Sequence, residues 1–403
     1  MDLCKNSLTD ESAASDFFMT DSLKDLLMST YVAASNFSTF SDEEMCEASP
    51  EVILRRMLST TSAISTASLL AETNQRARDD ASLQGFLNIG KGQCGVVFAL
   101  KGTTMVIKIP NNPSKIEELS TDYQMHKLVY SAFESLGSVS LPVHIPRCEA
   151  WVAPQDTEFW NSKRAFFPEE TTILNYALLS EHIFPLPLPV RESIVDALCP
   201  KAVKNSKVEF LNKAENKDCL ARLYLGRRND SRKMEARNVR LRNFALHIDE
   251  MERLGIDPKI YAIPMAHALA ILHWKAGIDA NDVEFVLGSS RATTSPPTDQ
   301  QGQAATQDFG HRTMSIWLLD FNQCKQFNHD AEGMKKLVDG FWFNDPYYPR
   351  PNSTNDKDKK LWETFQDQYL RVSGELTAGP GPKLFIEGVV NKGKARSGAS
   401  LFG

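Results

Sequence analysis

The sequence predicts an α+β protein with two lobes, a small lobe around an antiparallel sheet and a larger, mainly helical lobe, preceded by a disordered acidic N-terminus. Three observations lead to this prediction. The first fifty residues carry ten acidic and two basic side chains, in a chain of formal net charge -6. Between residues 86 and 110, three short apolar runs are separated by turn residues. Beyond residue 184, long apolar stretches with helical spacing dominate.

Composition and cysteine usage exclude several classes of protein. Hydrophobic residues make up 42% and charged residues 24% of the chain, which is typical of globular proteins rather than collagen or a fully disordered chain. No uncharged apolar run is long enough to span a membrane, and the acidic start lacks the apolar core of a secretory signal. We therefore expect an intracellular protein, cytoplasmic or nuclear, with no membrane partner. The seven cysteines are scattered without close pairing, so we expect neither a disulfide framework nor a zinc site.

These patterns divide the chain into five parts. Ser49-Pro50 has the form of a helix N-cap followed by proline at the first helical position, so helical structure is expected directly after the acidic leader. The predicted parts are a disordered acidic leader (1–47), an N-terminal helical extension (48–84), the small lobe (85–183), the large lobe (184–390) with a low-complexity insertion left without structure (288–315), and a tail (391–403).

Short strands and one helix are predicted in the small lobe, and long helices in the large lobe. The predicted strands of the small lobe cover residues 86–89, 96–100, 105–109 and 173–179, and its helix opens at Asn112-Pro113. In the large lobe, residues 236–254 are predicted to form an amphipathic basic helix and residues 258–274 a buried one. A strand over 316–319 follows the insertion.

A glycine-rich motif joins the first two predicted strands. Gly90-Lys91-Gly92-Gln93-Cys94-Gly95-Val96-Val97 matches G-x-G-x-x-G-x-V. A glycine hairpin between strands lets backbone N–H groups close over phosphates without side-chain obstruction, whereas a dinucleotide fingerprint would require a helix after the glycines. Gly90, Gly92, Gly95 and Val97 are therefore candidate nucleotide contacts. A glycine-rich turn that binds no ligand explains the same pattern.

Lys108 lies in an apolar strand, where an unpaired ammonium group would be costly, so the lysine needs an anion. On the following helix Glu118 and Asp122 are four residues apart, and either could hold Lys108, with Asp122 preferred. The alternative is that Lys108 reaches solvent at the lobe surface. Further on, a strand exits toward several prolines as a hinge would, and backbone groups around Glu181 and Ile183 would meet an adenine there. Burial of the strand end explains these residues equally well.

Acidic residues follow the long apolar helix and the 316–319 strand. Asp279 and Glu284 resemble the D-x-x-x-x-N spacing of the protein-kinase catalytic loop, and this resemblance implies a catalytic carboxylate at Asp279 and a metal-binding side chain at Glu284. Asp320 directly follows a strand, so a rigid strand end would deliver its carboxylate to magnesium, with Glu284 as the second ligand. The triplet Asp308-Phe309-Gly310 spells the D-F-G motif whose aspartate holds magnesium in protein kinases. It lies in the Gln-rich insertion, where no strand would position it, so we interpret the match as a coincidence.

With these residues the chain resembles the protein-kinase-like superfamily and, within it, a fungal family of unknown function whose members are often labelled "zinc finger protein". The likeness is closest at 219–228, 282–288, 318–324 and 344–351 and covers roughly residues 85–390. It implies a two-lobed protein-kinase-like fold that binds ATP and magnesium. The chain departs from kinases at Gly277-Ile278, where kinases have His-Arg, and at Glu284, where kinases have asparagine.

Three functions follow, in order of preference. The first is transfer of phosphate from ATP to a small-molecule hydroxyl, as in aminoglycoside-phosphotransferase-like enzymes, because no Ala-Pro-Glu segment follows Asp320. The second is a catalytically silent pseudokinase that binds a protein partner. The third, a nucleic-acid-associated regulator, depends on the stretch 201–242 with thirteen basic and five acidic residues. No aromatic platform accompanies that stretch, so a solvated basic face is favoured and nucleic acid is not the expected partner.

Overall fold

The computed structural model describes residues 21–31, 38–60, 62–65, 69–137, 141–229, 234–291 and 311–399. Within these ranges the chain forms an α+β structure with fourteen α-helices, several short 3-10 turns and two β-sheets. None of the helices in these ranges is both long enough and apolar enough to cross a membrane.

The N-terminal part contributes four helices and two short strands. In chain order these are α1 (Asp21–Tyr31), β1 (Ser38–Phe40), α2 (Asp42–Glu47), α3 (Pro50–Leu58), β2 (Ser62–Ser65) and α4 (Leu69–Asp79). Leu23 and Leu27 lie four positions apart on one side of α1, and both are buried in the main core. The prediction of a disordered 1–47 leader is therefore wrong for residues 21–31 and 38–47. Residues 1–20 lie outside the described ranges.

The helical extension starts where the sequence predicts. The Ser49 hydroxyl accepts a hydrogen bond from the Val52 N–H at 3.4 Å, and Pro50 occupies the first turn of α3. The helix ends at Leu58, and Thr60 adopts a left-handed φ of 61° that a continuing helix cannot contain. Strand β2 follows, so the 48–84 extension is helical in two pieces rather than throughout.

A five-stranded antiparallel sheet forms next. Its elements and their neighbours are β3 (Phe86–Lys91), β4 (Gly95–Leu100), β5 (Met105–Pro110), α5 (Ile116–Glu134), β6 (Val143–His144), β7 (Cys148–Val152), α6 (Thr157–Lys163) and β8 (Ala177–Glu181). The strand order is β3-β4-β5-β8-β7, β6 belongs to the other sheet, and α5 packs on β5, β7 and β8. The three predicted strands between 86 and 110 and the helix after Asn112 are confirmed. The strand predicted at 173–179 begins later, at Ala177, because Asn175 is left-handed with φ 60°.

The remainder of the chain is mainly helical around a second sheet. Its elements are α7 (Leu188–Leu198), α8 (Lys201–Asn205), α9 (Lys207–Asn212), β9 (Ala221–Tyr224), β10 (Phe244–His247), α10 (Ile248–Arg253), α11 (Lys259–Trp274), β11 (Glu284–Arg291), β12 (His311–Leu319), α12 (Ala331–Phe343), α13 (Asp356–Leu376) and α14 (Gly381–Ala399). Helix α11 is the buried helix that the sequence predicts at 258–274, and it packs along α13.

Two predictions for this region are wrong. Residues 236–254 are not one helix, since Phe244 and Leu246 alternate with less buried residues in β10 before the short helix α10 begins. The 288–315 insertion is structured at both ends, because β11 continues to Arg291 and β12 starts at His311. The residues at these ends are mostly polar, which is why their sequence does not indicate strands, yet they form a regular antiparallel pair that extends to Arg291 and Arg312. Residues 292–310 lie outside the described ranges.

The second sheet brings two predicted acidic residues together. Its strand order is β1-β2-β12-β11-β9-β10, with β6 beside β12. In the antiparallel hairpin of β11 and β12, Glu284 pairs with Leu319, so Glu284 and Asp320 occupy the same end of the hairpin. The chain leaving β8 crosses this hairpin, and Phe184 and Ser289 exchange two backbone hydrogen bonds of 3.1 and 2.8 Å. That contact lies toward the opposite end of the hairpin. At the carboxylate end, the sheets are joined by Lys108 of β5, whose Nζ donates to Asp320 Oδ1.

Candidate functional site

Lys108 joins the two halves of the site. Its Nζ lies 2.7 Å from Asp122 Oδ2 and 3.2 Å from Asp320 Oδ1, and its side chain is only 14% exposed. Burial alone would lower the pKa of Lys108, but the two carboxylates outweigh burial and raise this pKa well above its ordinary value. The ammonium group is therefore charged and held between β5, α5 and the end of β12.

Asp122 rather than Glu118 supplies the helix carboxylate. Asp122 Oδ1 also accepts the backbone N–H of Phe321 at 3.1 Å, so one side chain of α5 binds both the lysine and the residue after Asp320. Glu118 instead pairs with Lys115, three residues earlier, at 2.5 Å. The structure thus separates the two candidates that the sequence leaves open: Asp122 contacts Lys108, and Glu118 belongs to an exposed local pair.

The glycine-rich motif forms the hairpin between β3 and β4. A Cβ atom at Gly95 would lie 2.6 Å from the carbonyl oxygen of Ile109, so packing against β5 requires this glycine. Packing requires neither Gly90 nor Gly92, because the nearest heavy atoms would be 4.0 and 3.7 Å from an added Cβ. Val97 lies opposite Lys108 in the sheet. Gly92 is exposed and Gly90 is half-buried, so this turn of the hairpin is accessible from outside the protein.

Glu284 is bound by an arginine that the sequence analysis did not connect with it. Arg222 on β9 is the diagonal cross-strand neighbour of Glu284 on β11, and its Nη2 donates to Glu284 Oε1 at 2.5 Å. Burial raises the pKa of Glu284 to about 7; Arg222 opposes this rise, and the nearby charges of Asp320 and Asp282 add to it. Glu284 is thus a partly neutralised carboxylate beside two others.

Asp282 is the functional candidate that the sequence analysis missed. Burial and the charge of Asp320 raise its pKa, and its Oδ2 accepts the side-chain amide of Gln323 at 2.5 Å. The same Gln323 amide donates to Gln93 Oε1 at 3.0 Å, so Gln323 links the glycine hairpin with Asp282. Ala280 (φ 52°), Asp282 (φ 64°) and Asp320 (φ 67°) all adopt left-handed backbone conformations, which are enriched at functional sites.

Asp279 is more deeply buried than its predicted catalytic role requires. It is 6% exposed, and its Oδ1 accepts the backbone N–H groups of Lys325 at 2.9 Å and Asn281 at 3.2 Å. Burial raises its pKa, and the two backbone hydrogen bonds oppose that rise. These bonds make Asp279 Oδ1 an anchor of the loop that presents Asp282, and the catalytic role of Asp279 stays a prediction.

The hinge residues lie beside the β11–β12 hairpin. The N–H of Glu181 donates to the Arg147 carbonyl at 2.9 Å, so this group is committed within the protein. Ile183 packs closely on Gly288, where an added Cβ would come within 2.4 Å of Ile183 Cγ2. Backbone groups at the Ile183 position therefore lie over the same hairpin that carries Glu284.

The described residues of the basic stretch, 201–229 and 234–242, are distributed over several elements. The stretch runs through α8, α9, β9 and loops, and several of its bases are engaged in ion pairs: Arg222 with Glu284, Arg228 with Glu252 and Asp358, and Arg242 with Asp218. The triplet at 308–310 lies outside the described residues, so the structure gives it no role.

Comparisons with known proteins give one match. A family model described as "Zinc finger protein" matches residues 316–380, the part from β12 through α13. No curated protein and no solved structure matches the chain. Across the described ranges, no group of three or more His, Cys, Asp or Glu side chains is arranged to hold a metal ion.

A magnesium ion bound with a nucleotide needs few ligands from the protein itself. Magnesium bound to a nucleotide takes most of its oxygen ligands from phosphates and water, and one or two protein carboxylates suffice. Glu284 and Asp320 stand at one end of the β11–β12 hairpin, and their mutual repulsion contributes to the raised pKa of Glu284. Carboxylate oxygens that repel one another are a donor set suited to a divalent cation.

Proposed function

We propose that this protein has a protein-kinase-like fold and transfers the γ-phosphoryl group of ATP to a hydroxyl group of a small molecule. The observation that carries the proposal is the position of Lys108, held between Asp122 and Asp320 on the strand beside the glycine hairpin. A charged lysine under an open glycine hairpin, next to strand-end carboxylates, is the arrangement that phosphoryl transfer uses to position and neutralise phosphates.

Each group then has a defined task. The hairpin at Gly90 and Gly92 covers the phosphates, Lys108 binds phosphate oxygens, and Glu284 and Asp320 hold magnesium. When bound, magnesium neutralises negative charge on the phosphates. Arg222 fixes one oxygen of Glu284 and thereby orients the side chain. Backbone groups at Ile183 form one wall of the adenine position.

Asp282 is the best-placed side chain to face the acceptor. As the acceptor oxygen bonds to the γ-phosphorus, the bond from that phosphorus to the bridging oxygen breaks, and ADP leaves with the electron pair. The hydroxyl proton passes to Asp282, whose raised pKa suits this task. The Gln323 amide holds Asp282 Oδ2, so Oδ1 is the oxygen that would accept the proton.

A second candidate is a kinase-shaped binding module that does not turn over. The observation in its favour is the same Gln323 contact, which ties Asp282 to the glycine hairpin and keeps the hairpin close to the carboxylates. A module of this kind would bind nucleotide or a protein partner. It would still need Lys108 and Asp320 for binding, although it catalyses no reaction.

Thermal unfolding with and without ATP and magnesium tests both candidates. A ligand at one hundred times its dissociation constant adds about 2.7 kcal/mol to the free energy of unfolding. We expect such a shift in the wild type and its loss in Asp320→Asn, with Arg237→Gln at an exposed site as the control. Absence of a shift at saturating ATP and magnesium contradicts both candidates. ADP formation over a panel of small hydroxyl compounds then separates the enzyme from the silent module.

A further inference from the structure

Three arginine side chains surround one carboxylate on the loop after α12. Arg350 makes a two-pronged contact with Asp345: Nε donates to Oδ1 at 3.2 Å, and Nη2 donates to Oδ2. Arg227 Nη2 lies 3.5 Å from Asp345 Oδ2, and Arg396 Nη2 lies 3.9 Å from the same oxygen. The Asp345 side chain is only 9% exposed. Three guanidinium groups therefore share a single buried carboxylate.

The charges in this cluster do not balance. Arg350 alone satisfies both oxygens of Asp345, and neither Arg227 nor Arg396 is close enough to Asp345 for a hydrogen bond. In the described part of the chain, Asp345 is the one carboxylate within 4.0 Å of either arginine. Arg228 is the contrasting case, since its guanidinium group is hydrogen-bonded to Glu252 and Asp358. Two positive charges are thus in excess, on side chains 58% and 51% exposed.

Neighbouring groups fix the positions of these two arginines. Gly226, which precedes Arg227, donates its N–H to the Pro346 carbonyl at 2.8 Å, and a Cβ there would lie 2.5 Å from the Tyr348 carbonyl oxygen. The Arg396 guanidinium lies over the Trp342 ring, 4.8 Å from its centroid. The Trp342 ring restricts the Arg396 side chain, so this arginine loses less conformational entropy when it binds a ligand.

The cluster is joined directly to the Asp282 loop. Asn344, the residue before Asp345, accepts the backbone N–H of Asp282 at 2.6 Å and donates its side-chain amide to the Ala280 carbonyl at 2.7 Å. One residue therefore connects the arginine cluster with the loop that carries the acceptor-facing carboxylate.

We propose that Arg227, Arg350 and Arg396 form a subsite for an anionic group, phosphate or carboxylate, of the acceptor molecule. Guanidinium groups bind both anions through paired N–H donors, and the anion would take up the donors of Arg227 and Arg396 that Asp345 does not use. The assignment of this anion to the acceptor rests on the proposed phosphotransferase function. The anion binding itself rests only on the arginine geometry.

Isothermal titration of the full chain with inorganic phosphate, and separately with citrate, tests the subsite and tells the two anions apart. We expect saturable binding of at least one anion. Arg227→Gln with Arg396→Gln should weaken it about tenfold or more, because charge-assisted hydrogen bonds are lost. Arg240→Gln removes a charge from an exposed residue in the same basic stretch and should leave binding unchanged.

Asp345→Asn gives a readout that a purely structural ion cluster would not produce. Removal of the competing negative charge should tighten anion binding, with affinity rising about threefold or more. Absence of anion binding in the folded wild type, or equal weakening by Arg240→Gln, would overturn the subsite. Anion binding that persists in Asp320→Asn while the ATP response is lost shows that the two sites are separate. Anion binding in a protein that never binds ATP keeps the subsite and removes only its assignment to the acceptor.

Discussion

The guanidinium group of Arg222 donates to one carboxylate oxygen of Glu284 at 2.5 Å, although the pKa of Glu284 is raised to about 7. Burial and the neighbouring acids Asp282 and Asp320 therefore outweigh an ion pair at contact distance. The structure places negative charges here at an energetic cost, and a bound divalent cation would remove much of that cost.

The raised pKa of Glu284 predicts opposite pH dependences with and without ligand. Magnesium requires the ionised carboxylate, so ATP with magnesium should stabilise the protein more at about pH 8 than at about pH 6. Without ligand, the folded pKa lies above the ordinary 4.5, so this group's contribution to stability is complete below about pH 4.5. That contribution is lost as the pH rises through about 7. Melting temperatures measured at both pH values, with and without ligand, check this prediction.

Glu284→Gln is the matched control for the pH experiment. Glutamine keeps an oxygen that can accept from Arg222, and its side chain does not titrate in this range. The contribution of Glu284 is the difference between wild type and this variant, because buried groups such as Asp218 and His182 contribute equally to both. If the variant keeps the pH dependence of the wild type, another group causes it.

Removal of the Lys108 charge should be strongly destabilising. Lys108→Met leaves Asp122, whose side chain is 4% exposed, without its main counter-charge, and an uncompensated buried charge costs about 3–5 kcal/mol. Urea unfolding measures the loss. Adding Asp122→Asn to this variant should restore part of the stability. Lys115→Met breaks the more exposed pair with Glu118 and should cost less than about 1 kcal/mol. Equal losses for the two lysine variants would contradict the bridging role of Lys108.

Asp282 and Asp279 should differ in which property their loss affects. Asp282→Asn should lower turnover by about 10²–10⁴-fold with nucleotide binding retained, because a general base contributes about that much. Asp279→Ala removes the carboxylate that accepts the backbone N–H groups of Lys325 and Asn281, and the loss of these charge-assisted hydrogen bonds should cost about 1–3 kcal/mol of stability. Steady-state kinetics per folded molecule, with denaturant unfolding, distinguish the two. The reverse pattern would return the catalytic role to Asp279.

The glycines of the hairpin provide a further matched pair. Gly95→Ala would place a Cβ 2.6 Å from the Ile109 carbonyl oxygen, and such overpacking costs about 1–3 kcal/mol. Gly92→Ala meets no atom closer than 3.7 Å and should change stability by less than about 1 kcal/mol. The same substitution should weaken binding of ATP with magnesium if the hairpin covers phosphates. Titration calorimetry and melting curves measure the two effects, and unchanged ATP binding in Gly92→Ala would remove the hairpin from the nucleotide site.

Local sequence patterns predict those parts of the fold that are determined by residues close together in the sequence. The glycine hairpin, the strands around it and helix α11 follow from short apolar runs and helical spacing. The ends of the β11–β12 hairpin escape prediction because their residues are mostly polar, and helix α1 escapes it because the segment around it is acidic. Leu23 and Leu27 of α1 are buried in the main core, which forms from distant parts of the chain.

In the candidate site, too, local patterns predict some residues and not others. The Lys108 pair could be predicted because an apolar strand with a lysine requires an anion, and a helix with suitable acids follows at once. Asp282 was missed because the D-x-x-x-x-N spacing selects Asp279 and Glu284, and sequence spacing does not reveal left-handed backbone at Ala280 and Asp282. The available signal was a third acid within the same six residues. The Arg222–Glu284 pair spans 62 positions, which no local pattern reports.

Helix α1 has a practical consequence for work with shortened forms of this protein. An acidic N-terminal segment is an obvious piece to delete, yet α1 packs on α13 through leucines that are inaccessible to solvent. A chain that starts after residue 47 would present bare apolar surface on α13 to water. Such a product would be prone to self-association, and its weak activity or poor solubility would be an artefact of the deletion.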